Sequence, residues 1–241
     1  MIKISEKLNK YVILAYCDVS LFGPKVALTV NTNNSAVKVE CPLLDKVKEY
    51  QDKKIEKYKN NELLEETGSN LEPISSEFQD FSDFIVIQNE KDYSLITITA
   101  RLPEYTNALL SKSLIELFVQ NSVESVIIIS SQDMNIPSDK KIYGYSTSGK
   151  LMVPNVEILD NNLPMNSSFL NTLAILLNIK NIPTIYLTCL GKKINKDTQL
   201  EEQNIKLMKN TLNSITGLTF KDISPKLNDS LSQKTEELLY I

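Results

Sequence analysis

The stretch from Tyr105 to Ser131 most constrains the fold, because a long amphipathic segment runs directly into a short apolar run. In its first part, apolar residues recur at three- and four-residue spacing with polar residues between them, which predicts a helix with one buried face. That face is formed by Leu110, Leu114, Leu117 and Phe118. Val126 to Ile129 then places four branched aliphatic residues in a row, in a window too short for a helix. This is typical of a strand covered on both faces, so the stretch predicts a helix that leads into a central parallel strand.

A second helix and strand of the same kind follow later in the chain. Ser167 or Ser168 can cap a helix in which almost every position is apolar, so we expect this helix to be largely buried. Pro183 then opens the strand Thr184 to Cys189. Because two helices each lead into a buried strand, right-handed crossovers and a mainly parallel or mixed sheet between helical layers are the economical topology. The sequence therefore predicts an α/β fold with three layers, α/β/α.

Shorter apolar segments predict the rest of the sheet and its cover. The strand candidates are Tyr11 to Tyr16, Lys25 to Val30, Val37 to Val39, and a hairpin of Phe84 to Gln88 with Ser94 to Ala100. A turn at Gly23-Pro24 separates the first two of these strands. Gln132 to Asn162 is predicted to be a long irregular region with one or two short strands. Thr198 to Ile215 predicts a further amphipathic helix that covers one face of the sheet.

The length of 241 residues suffices for one large α/β domain, and we expect a single domain over residues 1–241. From about residue 43 to residue 80 the composition shifts to lysine, glutamate and asparagine, with only a thin apolar stripe. This predicts a charged insertion that is either a solvated helix or partly disordered.

The charge and the cysteine content of the chain restrict its expected partners and its expected cellular compartment. The net charge is −4, and the lysines between Lys46 and Lys59 alternate with acidic residues, so nucleic acid is not an expected partner. The apolar run Tyr11 to Cys17 is too short for a signal peptide or a membrane span, and we expect no membrane partner. Cys17, Cys41 and Cys189 lack the short spacing of a metal site, which favours buried free thiols in the cytosol or nucleus.

The sequence contains no histidine, and this absence restricts the chemistry. Ser-His-Asp and Cys-His catalysis and histidine-containing zinc sites are excluded. A Ser-Lys or carboxylate enzyme stays open, with Asp18 or Asp133 after a strand as candidates, although acidic residues are common in α/β loops. We expect no metal and no cofactor.

The segment Gly144 to Lys150 matches the spacing of a phosphate-binding P-loop. That motif needs a hydroxyl residue after the lysine and a helix whose N-terminus faces the phosphates. Leu151 stands at the hydroxyl position and Pro154 follows. We therefore interpret the segment as a flexible loop.

The chain finishes with Leu239-Tyr240-Ile241, which is a hydrophobic residue, a tyrosine and one further residue at the free carboxylate. Such a tail offers an apolar anchor, an amphipathic ring with a hydroxyl, and an anion that a lysine can bind. Proteasome-binding proteins insert a tail of this kind between neighbouring alpha subunits of the core particle. The alternative is the last turn of a terminal helix that packs Leu239 on the core.

In its order of elements the chain resembles the fungal proteasome assembly chaperones, most closely the first subunit of their heterodimeric pair. The resemblance covers most of the chain: a strand, the Phe22-Gly23-Pro24 turn, a charged insertion, then strand, helix, the Val126 to Ser130 strand and a docking tail at 236–241. Only Leu239, Tyr240 and Ile241 are carried over by role, as proteasome-binding residues.

This resemblance implies a three-layer fold related to phosphorylase and hydrolase-like domains, without catalytic residues. It also implies a heterodimer with a second assembly chaperone on the outer face of the alpha ring, where the pair aids assembly and blocks premature capping. The competing class is an α/β enzyme of hydrolase or transferase type, with its site at the strand carboxyl ends near Ser130 to Asp133. A deep polar pocket there favours the enzyme, whereas a filled cleft and an exposed C-terminus favour the chaperone.

Overall fold

The computed structural model describes residues 2–16, 21–32, 34, 36–43, 85–99, 104–132, 141–149, 153–159, 167–191 and 198–222. The strands in these ranges are β1 (Lys3–Ile4), β2 (Tyr11–Ala15), β3 (Val39–Glu40), β4 (Ile85–Glu90), β5 (Tyr93–Ile98), β6 (Ser125–Gln132), β7 (Ile142–Ser146), β8 (Val156–Ile158) and β9 (Thr184–Leu190). The helices are α1 (Phe22–Ala27), α2 (Glu104–Gln120), α3 (Ser168–Ile179) and α4 (Thr198–Thr216).

Seven of these strands form one mixed sheet in the order β4-β5-β2-β6-β9-β7-β8. Strands β5, β2, β6 and β9 are mutually parallel, while β4 and β7 run antiparallel to their neighbours β5 and β9. Strand β6 is the fourth of the seven and is hydrogen-bonded on both edges. The prediction that the Val126 to Ile129 run lies at the sheet centre is confirmed.

Successive side chains of the central strands enter two separate cores, as the period of a strand requires. Ile128 packs with the buried residues of α2 and α3, whereas Ile127 and Ile129 pack with those of α1 and α4. The sheet therefore lies between two helical layers, which confirms the predicted three-layer α/β/α fold.

Helix α3 begins at the predicted cap, because the Ser167 side-chain oxygen accepts a hydrogen bond from the Leu170 amide at 3.3 Å. The expectation that this helix is largely buried is wrong. Its sheet-facing side is buried, but Ile175 and Ile179 are 61% and 65% exposed. The sheet buries only one side of a helix that lies in an outer layer, so a helix that is apolar all round leaves apolar residues on the surface.

The predicted strand Lys25 to Val30 is also wrong, since its first half, Lys25 to Ala27, belongs to helix α1 and the next two residues form a turn. The amide of Lys25 donates to the carbonyl of Leu21 at 2.9 Å, and the amide of Leu28 donates to Pro24 at 3.0 Å. Pro24 fits the first helical turn, where its missing donor leaves no partner unsatisfied. Six apolar-rich residues are too few to distinguish the period of a helix from that of a strand.

The other predicted segments are confirmed with small shifts of their ends. They are β2, the β4–β5 hairpin, α2, β6, two short strands β7 and β8 after β6, β9 and α4. The hairpin turn contains Lys91 in the left-handed region, at φ 52°, followed by Asp92. Val37 forms only an isolated bridge to Ile87, and the adjacent strand is Val39–Glu40.

Two parts of the predicted domain organisation lie outside the described residues. They are the charged insertion at 43–80, apart from Leu43, and the docking tail at 236–241. The single domain over residues 1–241 stays a prediction. Across the ranges given above, no helix has the length and apolar character that crossing a membrane requires.

We predict that Ile128→Asp prevents folding. Ile128 is 1% exposed and pairs with Leu14 and Tyr186 across both edges of β6, so an unpaired carboxylate there should cost several kcal/mol of a total near 5–15 kcal/mol. The matched control is Ile158→Asp, because Ile158 is 67% exposed on the edge strand and its substitution should change stability by about 0.5 kcal/mol or less. Circular-dichroism melting compares the two variants, and a wild-type transition for Ile128→Asp would contradict the core assignment.

Candidate functional site

The carboxyl ends of the parallel strands are where an enzyme of this fold would hold its substrate. The parallel strands β5, β2, β6 and β9 end at one edge of the sheet. Helices α1 and α4 follow β2 and β9, and α2 and α3 lead into β6 and β9, so all four helices begin at this edge. Of the residues predicted for the enzyme alternative, Ser130 to Asp133, the first three form the end of β6 and belong here.

The backbone of helix α1 fills the space over the ends of β2 and β6. A Cβ atom built on Gly23 would lie 2.7 Å from the carbonyl oxygen of Tyr16 and 3.0 Å from that of Ile129. No real side chain makes contacts this short with backbone, so only glycine fits. The Gly23-Pro24 segment, which the sequence predicts as a turn, is therefore the first turn of helix α1, and its backbone contacts the ends of β2 and β6.

Aromatic and small residues close the same edge on either side of α1. The Tyr16 ring stacks on the Phe169 ring with centroids 4.6 Å apart, on the α2 and α3 side of the sheet. A Cβ atom on Gly191 would lie 2.5 Å from the Ser131 side-chain oxygen, and the Gly191 amide donates to the Gln132 carbonyl at 2.8 Å. Protein atoms thus fill the described part of the cleft.

Ser130, Ser131 and Gln132 are each no more than 5% exposed. Asp18 and Asp133, the two carboxylates considered for catalysis, lie outside the described residues. The part of the predicted enzyme site that the structure describes is therefore buried inside the protein.

A charged pair that the sequence did not reveal joins the two helices on the α1 and α4 side. The Lys25 ammonium donates to the Glu201 carboxylate at 2.5 Å, with side chains only 9% and 15% exposed. This ion pair, which is largely shielded from water, holds α1 against α4. Removal of one partner would leave the other charge without a counter-ion. The two residues are 176 positions apart in the chain, so spacing gives no signal for the contact.

Three buried amide oxygens lack a hydrogen-bond partner within the described residues: Asn107 Oδ1, Gln132 Oε1 and Asn204 Oδ1. Asn107 is in the first turn of α2 and donates from Nδ2 to Ser168 Oγ at 2.6 Å, while Asn204 donates from Nδ2 to the Leu190 carbonyl at 3.5 Å. All three residues lie near the carboxyl edge. A buried acceptor of this kind is normally satisfied by water or by a ligand with a donor group.

Two tyrosines on neighbouring strands pack together rather than forming a reactive group. The rings of Tyr145 and Tyr186 stack with centroids 6.1 Å apart. Burial raises the pKa of Tyr186 above its usual value, so its phenol is protonated at neutral pH and does not serve as a base.

A groove of 510 Å³ lies elsewhere, between helix α4 and the β7–β8 edge of the sheet. Its charged side chains, Lys141 and Glu157, pair with each other. Its other lining residues are Ile142, Pro154, Asn155, Val156, Leu207, Asn210, Thr211 and Ser214. This set contains one carboxylate and one amine that neutralise each other, which provides no separate acid and base for catalysis.

The described part of the P-loop-like segment does not have the architecture of a phosphate site. Gly144 belongs to β7, where it pairs with Leu187, so the flexible-loop interpretation is wrong for Gly144 to Ser146. Lys150 and Leu151 lie outside the described residues. Pro154 and Asn155 form a turn that leads into strand β8, so the described residues that follow the segment form a turn and a strand rather than the helix that a P-loop requires.

The proteasome-binding residues predicted from the sequence, Leu239, Tyr240 and Ile241, lie outside the described part of the chain. Their role and exposure stay predictions.

The outer helices of the two layers differ in their exposed residues. Among the described residues, the large exposed hydrophobic side chains are Leu109, Val119, Ile158, Ile175 and Ile179, and all except Ile158 are on α2 or α3. Helix α3 contains no charged residue in its 12 positions. We call Val119, Ile175 and Ile179 the apolar helix face. The apolar composition of α3 is the sequence signal for this face, and the same composition also predicts burial within the protein.

Comparison with known proteins places the chain by its fold. No protein-family model matches the sequence, and no curated protein matches it. The structure is similar to that of Pyrococcus furiosus PbaA, described as an archaeal homolog of proteasome-assembly chaperone, with a TM-score of 0.58, 12% identity and coverage of 100% of this chain and 94% of PbaA. It is also similar to Pyrococcus furiosus PbaB, described as an archaeal proteasome activator, with a TM-score of 0.59, 12% identity and coverage of 100% and 97%.

A protein of unknown function from Thermoplasma acidophilum has a TM-score of 0.60, at 9% identity and coverage of 98% of this chain and 91% of the other. At these identities the comparisons show a shared fold over nearly the whole of each chain. They do not transfer any residue's role.

We predict that Gly23→Ala lowers the melting temperature by about 4–8 °C, which corresponds to about 2 kcal/mol for a chain of this size. The added methyl group meets two backbone oxygens, which cannot move without separating β2 from β6. Ala108→Gly is the control, because it changes one methyl group at an exposed helix position and should cost about 1 kcal/mol or less. Equal stability of Gly23→Ala and wild type in a thermal melt would show that the edge is not closed in this way.

Proposed function

We propose that this protein is a non-catalytic chaperone for assembly of the proteasome core particle. The observation that carries the proposal is the fold, which is shared over the whole chain with a protein described as an archaeal homolog of proteasome-assembly chaperone. A second full-length neighbour is described as an archaeal proteasome activator. Both neighbours are linked by their descriptions to the proteasome, so a role at the proteasome is the economical function for this chain.

The closed carboxyl edge supports a non-catalytic role. Gly23, Tyr16 and Gly191 pack into the described part of the space in which an α/β enzyme would bind substrate. The observation that favours an enzyme is that the side-chain oxygens of Gln132 and Asn204 have no hydrogen-bond partner within the described residues. Oxygen acceptors alone can bind a donor group but cannot activate a nucleophile or protonate a leaving group.

In this proposal the C-terminal residues Leu239, Tyr240 and Ile241 enter a pocket between two alpha-type proteasome subunits. Any chain end that becomes ordered on docking loses conformational entropy, and strong contacts must offset this loss. Leu239 supplies an apolar side chain to bury, Tyr240 supplies a ring that packs and donates a hydrogen bond, and the carboxylate of Ile241 pairs with a basic group.

We further propose that the protein acts as a heterodimer with a second, related assembly chaperone, on the outer face of the alpha ring. The exposed apolar residues of α2 and α3 support a protein partner, because contiguous apolar surface commonly marks an interaction site. The cytosol and the nucleus are the proposed compartments, and the buried thiols of Cys41 and Cys189, which are not joined in a disulfide, are compatible with both.

We predict that Tyr240→Ala weakens binding of the chaperone pair to purified alpha rings by roughly thirtyfold, or about 2 kcal/mol, because the ring burial and its hydrogen bond are lost. Addition of one residue after Ile241 should have a similar effect, since it displaces the carboxylate. Titration by surface plasmon resonance measures both changes.

The melting temperature of these tail variants should equal that of the wild type. Deletion of residues 239–241 is the most direct form of the test. If the truncated protein binds alpha rings as tightly as the full chain at unchanged stability, the tail is not the docking element. The three residues then fit the alternative of a helix end on the core.

We also predict that the protein, coexpressed with the second chaperone, sediments as a one-to-one complex. A stable interface should bury about 1,200 Å² or more in total and cover apolar residues that are exposed in the separate chain. Analytical ultracentrifugation measures the mass. Two separate monomers at micromolar concentration would exclude the heterodimer.

A further inference from the structure

Two of the three unpartnered amide oxygens lie on the same side of the sheet, at the carboxyl edge. Gln132 follows Ile128 by four positions on strand β6, so its side chain lies on the face that packs against α2 and α3. Asn107 is in the first turn of α2, in that same layer. Asn204 is on α4, which covers the opposite face of the sheet. Asn107 and Gln132 are therefore candidates for one site, and we call them the amide pair.

A series of contacts connects the amide pair with the beginning of α3. Asn107 Nδ2 donates to Ser168 Oγ at 2.6 Å, and Ser168 is the first residue of α3. The next residue, Phe169, stacks on Tyr16, which directly follows β2. Strand β6 runs parallel to β2 and continues past their last paired residues to end at Gln132. Both members of the amide pair thus lie at the end of the sheet where α3 begins.

The strand positions around Gln132 are also polar. Ser130 and Thr188 pair across β6 and β9, on the same face as Gln132, and both are buried. Two residues earlier along each strand this face is part of the apolar core, with Ile128 beside Tyr186. The core on the α2 and α3 side therefore ends in a buried polar layer.

The amide pair needs hydrogen-bond donors. Asn107 and Gln132 are 7% and 5% exposed, and their side-chain oxygens have no partner within the described residues. An acceptor that is buried without a donor destabilises the fold, so proteins retain one mainly where water or a ligand supplies the donor. The hydrogen bond from Asn107 Nδ2 to Ser168 fixes the orientation of the Asn107 amide and leaves its oxygen available.

The N-terminus of α3 determines which kind of donor suits this place. The first amides of a helix have no partner within the helix, and the helix dipole places partial positive charge there. The Ser167 side chain caps one of these amides in α3. The side chains of Asn107, Ser130, Gln132 and Thr188 are uncharged, so they do not offset that positive end. A metal cation or an ammonium group would be repelled by it, whereas an oxyanion is attracted.

We propose that the amide pair and the N-terminus of α3 bind inorganic phosphate. At neutral pH phosphate has unprotonated oxygens, which accept hydrogen bonds from helix amides, and it keeps at least one P–OH group, which donates to a side-chain carbonyl oxygen. The burial of both amides favours a ligand of a few atoms. The inference goes beyond the proposed chaperone function and does not depend on it, because it concerns binding without catalysis.

Sulfate provides the matched comparison for this chemistry. It has the same tetrahedral shape and is also an anion, but it carries no proton at neutral pH. Sulfate can therefore accept from the α3 amides, yet it has no donor for Asn107 Oδ1 or Gln132 Oε1 and leaves both unsatisfied. A preference for phosphate over sulfate distinguishes the proposed site from a general anion effect at a helix N-terminus.

The test is titration calorimetry and thermal melting of the full chain with inorganic phosphate and with sulfate at equal ionic strength. Phosphate should bind at one site, roughly tenfold or more tightly than sulfate, and should raise the melting temperature. An equal response to the two anions would indicate an adventitious ion only. No response to phosphate would leave buried water as the donor. Either of these two results overturns the proposal.

The variant Gln132→Met assigns the site to the amide pair. Methionine has a similar length but no strong acceptor, so the phosphate-free variant should melt at or above the wild-type temperature while its phosphate affinity falls roughly tenfold. Asn204→Leu is the matched control, because it removes the third unpartnered oxygen, on the opposite side of the sheet. The control should keep the preference for phosphate over sulfate. Wild-type phosphate affinity in Gln132→Met, or loss of the preference only in Asn204→Leu, would overturn the assignment.

Discussion

The structure depends on a parallel strand that is paired along both edges and covered on both faces. Strand β6 forms ladders with β2 and with β9, and its aliphatic side chains enter the two helical cores alternately. Because no face of β6 meets water, both layers of helices are required, and every connection to the neighbouring parallel strands must cross over the sheet. The positions of α2, α3 and α4 follow from this one strand.

The same constraint brings all four helix starts to the carboxyl edge, which is where α/β enzymes acquire their sites. In the part of the chain that the structure describes, this edge is used for packing. Gly23 allows the backbone of α1 to contact the carbonyl groups of Tyr16 and Ile129, and the Lys25–Glu201 pair fixes α1 to α4. Among the described residues, the large exposed apolar side chains other than Ile158 lie on the outside of the α2 and α3 layer.

The sequence predicted those parts of the fold that depend on a long periodic pattern. The Tyr105 to Ser131 stretch is sufficient to predict α2 and the central strand, and one of the two candidate caps of α3, Ser167, is the observed one. The predictions for short segments were less accurate. The six residues from Lys25 to Val30 fit the period of a helix as well as that of a strand. The close approach at Gly23 depends on carbonyl groups that are distant in the sequence. The exposure of Ile175 and Ile179 was missed for a related reason. The sequence alone does not show whether an apolar residue of a helix contacts its own sheet or lies on the surface, and the fold is needed to distinguish the two.

The central claim is that the protein works on the proteasome core particle, and affinity purification from its own cells tests this most directly. The full-length tagged chain would be isolated under gentle conditions, and the proteins that accompany it would be quantified by mass spectrometry against a tag-only control. The account predicts enrichment of alpha-type proteasome subunits together with one further assembly chaperone in near-equal amount. Recovery of the chain with neither proteasome subunits nor a chaperone partner would contradict it.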